Sequence, residues 1–252
     1  MKRAGAVAAL CALTLWPAAS ARSWIGHEAE IEAHLRGADV TNIEEIGTGV
    51  TRPRRADLRP ATPFASLAWK VLPPGRHNGF WESYKSEIAA YELDKLLELR
   101  MVPPAVERTI AGETGAAIMW LDGARSVKQT GGQVPSGPEW GGAIRRMQLF
   151  DNLIANLDRN AGNILLGDPG ELILIDHSRA FVGDRHLVQK FERVDETLWR
   201  RIQSVSPEDL HRVLDPWLER NAVGALLARR AKLSDTIDAL VKKRGRTAVI
   251  IP

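Results

Sequence analysis

The stretch Asn156-Leu157-Asp158-Arg159-Asn160-Ala161-Gly162-Asn163, followed downstream by Asp176, decides how this chain of 252 residues is interpreted. Within it, an acid (Asp158) precedes an amide (Asn163) by five positions, and a second acid (Asp176) ends an apolar run. Twelve residues separate Asn163 from Asp176, which is enough for one short hairpin. The sequence therefore predicts that these three polar side chains lie close together.

The segment between Asn163 and Asp176 has the composition of a hairpin. Ile164-Leu165-Leu166 and Leu172-Ile173-Leu174-Ile175 are short apolar runs, and Gly167-Asp168-Pro169-Gly170 between them is rich in turn residues. Antiparallel pairing of the two runs returns the end of the second strand to the start of the first. This pairing is what brings Asp176 back to Asn163.

An acid, an amide and a second acid at this spacing are typical of phosphoryl-transfer enzymes. In kinase catalytic loops an Asp orients the acceptor hydroxyl, an Asn five positions later holds Mg²⁺, and a further Asp holds the metals. Asp158 is accordingly the candidate catalytic residue, and Asn163 and Asp176 are the candidate metal ligands. The alternative is a helix that ends in an Asn/Gly cap before an ordinary hairpin; the addition of Asp176 favours phosphoryl transfer.

The first half of the chain contains candidates for holding a nucleotide. Gly47-Thr48-Gly49 allows a loop between strands to approach phosphates closely. Ala68 and Lys70 lie on one face of a predicted strand, where the small residue leaves room for a base and the amine reaches the phosphates. An edge lysine that protects a strand from aggregation is the alternative for Lys70.

A carboxylate that holds this lysine is expected on the helix that follows. Glu87 lies near the start of that predicted helix, seventeen residues after Lys70. Glu82 and Glu92 compete for the same role, and a solvated carboxylate on the helix surface is the alternative for all three. The sequence favours Glu87 without excluding the other two.

The order of predicted elements indicates an α+β fold of two lobes. Strands are predicted over 40–50, 64–71, 105–110 and 116–121, and helices over 28–37, 82–100, 144–157 and 222–243, with another beginning at Ser206-Pro207-Glu208. Everything beyond Asp184 has a helical pattern. The Gly-rich stretch 122–139 is predicted to be an interlobe loop. We expect a strand-rich N-lobe over 22–122 and a helical C-lobe over 123–252.

The first 21 residues have the three regions of a secretory signal peptide. Met1-Lys2-Arg3 is basic, residues 4–15 are apolar, and small residues lead to Ala21, after which cleavage is predicted. Export to the periplasm or the medium follows, with an uncleaved membrane anchor as the alternative. The chain's one cysteine, Cys11, lies inside this leader, so the mature protein would form no disulfide.

Composition limits the class of partner. The formal net charge is +3, and removing the leader takes away Lys2 and Arg3 but no acid, which leaves +1. A nearly neutral protein gives no electrostatic reason to bind nucleic acid. Beyond the leader no stretch is predicted to cross a membrane stably, and the oligomeric state is open.

Three segments resemble known kinases. Residues 86–97 and 102–106, which read SEIAAYELDKLL and VPPAV, are similar to the secretory-pathway kinases that phosphorylate casein and proteoglycan xylose. Residues 147–159, MQLFDNLIANLDR, resemble the catalytic segment of the same family. The Asp-Arg-x-x-x-Asn pattern and Ile-Asp-His at 175–177 also resemble kinases of the phosphoinositide 3/4-kinase and HipA types. The resemblance extends from Gly47 to about Phe181.

This resemblance implies a protein-kinase-like fold with ATP and Mg²⁺ or Mn²⁺ as cofactors. It makes Lys70 the phosphate-binding lysine, Glu87 its partner, Asp158 the catalytic base and Asp176 the metal-binding aspartate. Asn163 fits the lipid-kinase and HipA patterns better than the casein-kinase pattern. The chain departs from the family because its one cysteine, Cys11, lies in the predicted leader and the mature chain would have none for disulfides, and neither Asp-Phe-Gly nor Ala-Pro-Glu is present.

Three other features each have two interpretations. His177 either assists the metal or nucleotide site or serves in packing and hydrogen bonding, and the second is favoured. Arg159 either contacts phosphate or neutralises Asp158. The basic residues of the final helix either contact an anionic partner or form a solvated face, and the solvated face is favoured. These residues are Arg229, Arg230, Lys232, Lys242, Lys243, Arg244 and Arg246.

The function predicted from the sequence is transfer of the γ-phosphoryl group of ATP to a hydroxyl group. The partners are thus a nucleotide and an acceptor that the sequence does not identify, whether a protein Ser/Thr, a sugar or a lipid. Two alternatives keep the same fold. One is a pseudokinase that binds a nucleotide or partner without chemistry, and the other is an enzyme that transfers adenylate.

Overall fold

The structure is a computed structural model that describes residues 23–47, 53–167, 171–219 and 221–252. The predicted leader over 1–21, Thr48 and Gly49 of the Gly-rich loop, and the turn at 168–170 lie outside these residues. Within the described ranges, no helix is long and apolar enough to cross a bilayer.

The described elements alternate between strands and helices in the first half and are mainly helical in the second. The strands are β1 (Asp39–Glu45), β2 (Arg54–Arg59), β3 (Ser66–Lys70), β4 (Gly75–His77), β5 (Phe80–Glu82), β6 (Ala105–Ile110), β7 (Glu113–Met119), β8 (Arg125–Ser126), β9 (Ile164–Leu166), β10 (Leu172–Leu174), β11 (Val194–Asp195) and β12 (Ile250–Ile251). The helices are α1 (Glu28–Gly37), α2 (Tyr84–Leu97), α3 (Pro138–Ile154), α4 (Glu196–Ser204), α5 (Pro207–Leu214), α6 (Ala222–Arg244) and α7 (Arg246–Val249).

The first half is built on an antiparallel sheet with the strand order β1-β2-β3-β7-β6. Leu67 and Trp69 of β3 are buried in a core shared with Ile31 of α1. Because side chains alternate along a strand, Ala68 and Lys70 point to the opposite face. The predicted alternation in this strand therefore positions Lys70 on the side of the sheet away from the α1 core.

Helix α2 connects the two halves. Its N-cap is Ser83, whose side chain accepts a hydrogen bond from the backbone N–H of Lys85, and its C-cap, Glu98, has left-handed backbone geometry. The helix packs on β6 and β7 and also on α5. Its buried residues belong to the same apolar core as those of α3 and α6, so α2 is held by both halves of the molecule.

The second half supplies a small sheet and a helical body. Strands β9 and β10 pair as the predicted hairpin, with Leu174 opposite Ile164, and β8 adds to the other edge of β9. Helices α3 and α6 pack together. The α+β fold class predicted from the sequence is confirmed, while the lobe boundary at residue 122 stays a prediction.

Two predictions about the second half are wrong. Residues beyond Asp184 are not all helical, because β11 and β12 form a parallel pair in which Val194 lies opposite Ile250; a two-residue strand is too short to show a period. The stretch 122–139 is not entirely loop, because it contains β8 and α3 begins at Pro138.

The solvated basic face predicted for the final helix does not include Arg229. This side chain is 0% exposed and donates to the carbonyl oxygens of Leu153, Val182 and Asp184. Burial lowers its pKa to about 10, with the negative charge of Asp184 opposing the shift. Arg229 thus links α6 to the end of α3 and to the segment after Phe181. The prediction missed this because the helical period alone does not reveal which basic residue is buried.

Candidate functional site

Lys70 lies at the centre of a buried ion cluster. Its Nζ donates to Oε1 of Glu87 at 2.6 Å and to Oδ1 of Asp176 at 2.8 Å. The Lys70 and Glu87 side chains are both buried, and the Asp176 side chain is partly exposed. The cluster joins β3, α2 and the segment after β10, which come from both halves of the chain.

The three carboxylates that the sequence left open as partners of Lys70 are now distinguished by their contacts. Glu87 contacts Lys70, Glu82 pairs with Arg179 at 2.6 Å, and Glu92 pairs with Lys95 at 3.1 Å. The periodicity of α2 explains the outcome, since Glu87 lies on a buried face of the helix whereas Glu92 is only partly buried.

The charges of this cluster stabilise one another. Burial by itself lowers the pKa of Lys70, but Asp176 and Glu87 outweigh it and raise the pKa above its ordinary value. Burial likewise raises the pKa of Glu87, but Lys70 and a hydrogen bond from His177 outweigh it and lower that pKa. Both groups are therefore charged at neutral pH, and the ammonium is held between two carboxylates.

Backbone and side-chain bonds fix Asp176. Its φ is 59°, in the left-handed region that side chains other than Gly seldom adopt. Ser178 Oγ donates to Asp176 Oδ1 at 3.2 Å, and the backbone N–H of His177 donates to Glu87 Oε2 at 2.9 Å. The turn after β10 is therefore tied directly to α2. Backbone strain of this kind is concentrated at functional sites.

The loop that carries Asp158 begins where α3 ends. Ala155 caps the helix in left-handed geometry, and the Asn156 side chain then accepts from the Asp158 backbone N–H at 3.2 Å. The Asn163 amide group donates to the Asp158 carbonyl at 2.9 Å, which closes the loop on itself. The Asp158 side chain is 39% exposed and so can be reached by an acceptor.

Arg159 holds this loop through one ion pair and two bonds to backbone carbonyls. Its guanidinium pairs with the buried Asp151 at 3.0 Å and donates to the carbonyl oxygens of Asn163 at 2.7 Å and Ile175 at 2.9 Å. Neither interpretation from the sequence, a phosphate contact or neutralisation of Asp158, describes these contacts. Because Asn163 and Ile175 flank β9 and β10, Arg159 fixes the distance between the two candidate metal ligands.

His177 is a buried hydrogen-bonding residue, as the sequence favoured. Its Nε2 lies 3.0 Å from Nη2 of Arg159 and accepts from it, so Nδ1 carries the proton and faces Glu87 Oε2 at 3.7 Å. Its ring packs edge-on against Phe150. Burial lowers the pKa of His177; the nearby Glu87 carboxylate opposes this and the charge of Arg159 adds to it. A neutral imidazole therefore links the Lys70 cluster to the Arg159 pair.

Sequence reasoning missed Arg179 as a site residue. Its Nε donates to Glu82 at 2.6 Å, its Nη1 lies 3.3 Å from Oδ2 of Asp158, and its guanidinium lies 4.3 Å from the ring centroid of Phe80. Position 179 follows Asp176 by three residues, but nothing in the local pattern indicates a partner nearly a hundred residues upstream in β5.

The proposed base and phosphate positions are only partly described. Ala68 pairs with Arg55 of β2 and Ile118 of β7, so these three side chains share the face of the sheet that carries Lys70. The Arg55 guanidinium lies 4.9 Å from the Trp120 ring centroid. Gly47 has a φ of 53°, which suits a glycine. Thr48 and Gly49 lie outside the described residues.

The candidate metal ligands have the donor chemistry that a hard cation needs. Bonds from Lys70 and Ser178 both fall on Oδ1 of Asp176, and the Asn163 amide uses its nitrogen to reach Asp158, which keeps its oxygen as the acceptor. The described residues contain no cluster of three or more His, Cys, Asp or Glu able to hold a metal by itself. Residues 163 and 176 thus fit a cation whose remaining ligands are phosphates and water.

Comparison with known proteins identifies the fold of this chain. No protein-family model matches the chain, and no curated protein matches it. Among solved structures, that of hydra Fam20 with sugar covers 90% of this chain and 92% of its own, at a TM-score of 0.72 and 18% identity. The structure of the Golgi casein kinase with Mn/ADP bound covers 90% of this chain and 79% of its own, at a TM-score of 0.68 and 15% identity.

A bacterial kinase is also similar. The Helicobacter pylori proinflammatory kinase CtkA covers 84% of this chain and 97% of its own, at a TM-score of 0.51 and 10% identity. Likeness at such identities concerns the fold, and the prediction of a bilobal kinase-like fold is confirmed. This chain therefore has the atypical kinase-like fold shared by hydra Fam20, the Golgi casein kinase and CtkA.

Proposed function

We propose that this protein is an exported phosphotransferase that moves the γ-phosphoryl group of ATP to a hydroxyl acceptor. The observation that supports this most strongly is that the Lys70 ammonium lies 2.6 Å from a Glu87 oxygen and 2.8 Å from an Asp176 oxygen in a kinase-like fold. Asp158 and Asn163 belong to the loop beside this cluster.

Nucleotide binding is assigned to the first half of the chain. The Lys70 ammonium would neutralise phosphate charge, and Glu87 holds it in place. Gly47, Thr48 and Gly49 would approach the phosphates through their backbone, and Ala68 would leave room for the base. The Golgi casein kinase of the same fold has ADP and Mn bound, which supports a nucleotide here.

Metal binding is assigned to Asn163 and Asp176. Their side chains would hold Mg²⁺ or Mn²⁺ through one carboxamide oxygen and one carboxylate. A cation held by these two residues would supply positive charge that offsets the negative charge of the transferring group. Arg159 supports both ligands, because it bonds the carbonyls of Asn163 and Ile175.

The transfer step is assigned to Asp158. Its carboxylate would accept a hydrogen bond from the acceptor hydroxyl and orient the oxygen toward the γ-phosphorus. The bond between acceptor oxygen and phosphorus forms, the bond from that phosphorus to the bridging oxygen breaks, ADP leaves, and the hydroxyl proton passes to Asp158. Positioning and charge stabilisation supply most of the rate.

The acceptor class is a protein Ser/Thr, a sugar or a lipid head group. Each presents an alcohol, and specificity would lie in residues 122–139 and in the helical half. Export rests on the leader over 1–21, which precedes the described residues. The mature protein is proposed to act without a stable membrane span and without nucleic acid.

The function is tested by incubating the mature chain with Mn²⁺ and labelled ATP in the presence of extract from the host envelope. Transfer of label from γ-labelled but not α-labelled ATP to a component of the extract supports the proposal. Transfer from α-labelled ATP indicates adenylate transfer instead. A chain that transfers nothing yet is stabilised thermally by ATP and Mn²⁺ is a binding module, and the enzyme proposal fails.

A further inference from the structure

Arg179 connects three groups that the proposed reaction does not assign to one another. It lies in the segment after Asp176, and its side chain is largely buried. One nitrogen bonds Glu82 at the end of β5, another lies 3.3 Å from Asp158, and the flat face of the guanidinium lies over the Phe80 ring. The side chain therefore contacts the loop that carries the candidate base and the hairpin formed by β4 and β5.

Glu82 is the buried anchor of this arrangement. It is 2% exposed, and a carboxylate at that depth is unfavourable without a cation beside it. The short bond from Arg179 supplies that cation in a charge-assisted geometry. Glu82 thus holds the guanidinium in one place, which in turn sets the position of the nitrogen that faces Asp158.

A role for Arg179 in holding phosphate fits these contacts poorly. Its Nε and Nη1 point to carboxylates, and one face of its plane is covered by Phe80. Arginine suits a bridging role, because its rigid fork presents several donors at fixed angles. Lys70 already has the environment expected of a phosphate-binding cation in this cleft.

The β4–β5 hairpin is partly exposed to solvent where it contacts Arg179. Phe80 is 48% exposed, and Leu157, next to Asp158, is 55% exposed. Of these two apolar side chains, Phe80 lies against the Arg179 guanidinium that pairs with Asp158.

We propose that Arg179 is a positioning residue that orients Asp158 and couples it to the β4–β5 hairpin through Glu82 and Phe80. This inference rests on the proposed function only for the role of Asp158. The coupling itself is a property of the fold. Movement of the hairpin is transmitted to the catalytic loop through the guanidinium, and the nucleotide site around Lys70 is left unchanged.

The test uses the full mature chain with Mn·ATP and water as the acceptor, so that no unidentified substrate is needed. Arg179→Gln is expected to lower kcat by about 100-fold, the scale of a misplaced reacting group. The KM for ATP stays within about twofold of wild type, because ground-state nucleotide contacts are intact. Arg179→Lys restores part of kcat, since its ammonium reaches one carboxylate but does not bridge two.

Hydrogen exchange gives a readout that is independent of activity. Arg179→Gln is expected to speed backbone exchange in both 75–82 and 156–163 and to leave α6 at wild-type rates. Since this variant leaves Glu82 buried and unpaired and so risks misfolding, Glu82→Gln/Arg179→Gln, which removes both charges, is measured beside it. Exposed Arg185→Gln is the matched control and is expected to change neither measurement.

The outcomes separate this inference from the proposed function. The proposed coupling is contradicted if hydrogen exchange in 156–163 is unchanged in both the single and the double variant. It is also contradicted if Arg179→Gln raises the KM for ATP and leaves kcat unchanged. If the wild type does not hydrolyse or transfer the γ-phosphoryl group, the proposed function fails. Faster exchange in both segments still supports the coupling in that case.

Discussion

The Nζ atom of Lys70 lies 2.8 Å from Oδ1 of Asp176, a partner 106 residues later in the chain. This ion pair joins the strand-rich half of the molecule to the helical half. Under the proposed function, the two carboxylates hold the ammonium in place before a nucleotide binds. Nucleotide binding would require the phosphates to share this cation with Asp176, and the metal ligand would be released toward a bound ion.

Removing the negative charge of Glu87 should loosen the lysine without unfolding the protein. In Glu87→Gln, Lys70 keeps Asp176 as a partner but loses its 2.6 Å bond to a carboxylate. We expect γ-phosphoryl transfer to fall about 10- to 100-fold, because the lysine must be held for its phosphate contact. Glu92→Gln, on the same helix but paired with Lys95, should retain wild-type activity. Equal rates in the two variants would show that the Lys70–Glu87 pair has no functional role.

The two acids assigned to chemistry should be needed for turnover but not for folding. Asp158→Asn and Asp176→Asn are each expected to lower kcat by at least about 100-fold, since they remove the proton acceptor and the anionic metal ligand. Circular dichroism should show wild-type helix content in both. Asp235→Asn, an exposed position on α6, is the control. Substantial transfer by Asp176→Asn would contradict the assigned metal site.

Gly115 is required because β7 passes close to β3 beside Lys70. A Cβ atom at this position would clash with the carbonyl oxygen of Lys70 and approach Val71. We expect Gly115→Ala to lower the free energy of unfolding by about 1–3 kcal/mol, as overpacking does, and to weaken ATP binding by displacing Lys70. Gly224→Ala, on α6 with open space around it, should instead raise stability by about 0.5–1 kcal/mol. Urea denaturation of both variants distinguishes these outcomes.

The buried pair beneath the catalytic loop should contribute strongly to stability. Asp151 is fully buried and accepts bonds from Arg159 and from the Asn156 side chain. Asp151→Asn leaves the Arg159 charge buried without its counterion, and we expect a loss of about 3–5 kcal/mol in the free energy of unfolding. A loss below about 1 kcal/mol would mean that this pair does not hold the loop.

Stability should fall as the pH drops below the ordinary pKa of histidine, in part because of His177. Its pKa in the folded protein is lowered from 6.5, chiefly by burial. The unfolded chain therefore binds a proton below pH 6.5 that the folded chain resists, so the stabilisation is complete above pH 6.5 and is lost as pH falls toward the folded pKa.

Comparing the free energy of unfolding at about pH 8 and about pH 5.5 tests whether stability falls with pH as predicted. His177→Gln removes the titrating ring and should show a smaller decrease than wild type between the two values. His211→Gln, at an exposed position on α5, should show the wild-type decrease. Identical pH dependence in wild type and His177→Gln would contradict the assignment.

Elements with a clear period were predicted best from the sequence. Helix α1 and strand β6 have the bounds that the pattern indicated, and the alternation in β3 correctly separated Lys70 from Trp69. The bounds of β9, which has only three residues, were indicated by an apolar run beside turn residues. Each of these signals is local. The short strands β4, β5, β11 and β12 were missed, because two or three residues contain too little periodicity to be recognised.

Long-range side-chain contacts were the least predictable part of the site. Lys70 was indicated by its strand, but the acid that pairs with it stayed open among Glu82, Glu87 and Glu92 until the structure showed the contact with Glu87. Arg179 gave no such signal, since its partner Glu82 lies 97 residues away. Arg229 looked like one of several basic surface residues, and only the packing of α6 on α3 shows that it is buried.

The most direct test of the central claim is transfer of ³²P from γ-labelled ATP to a component of host envelope extract by the purified mature chain in the presence of Mn²⁺, measured for wild type and Asp176→Asn. Wild type should transfer label to a hydroxyl acceptor from γ-labelled ATP but not from α-labelled ATP, and should release ADP. Asp176→Asn should transfer no label from either and release no ADP. Label from α-labelled ATP, or equal γ-transfer by wild type and Asp176→Asn, would contradict the account.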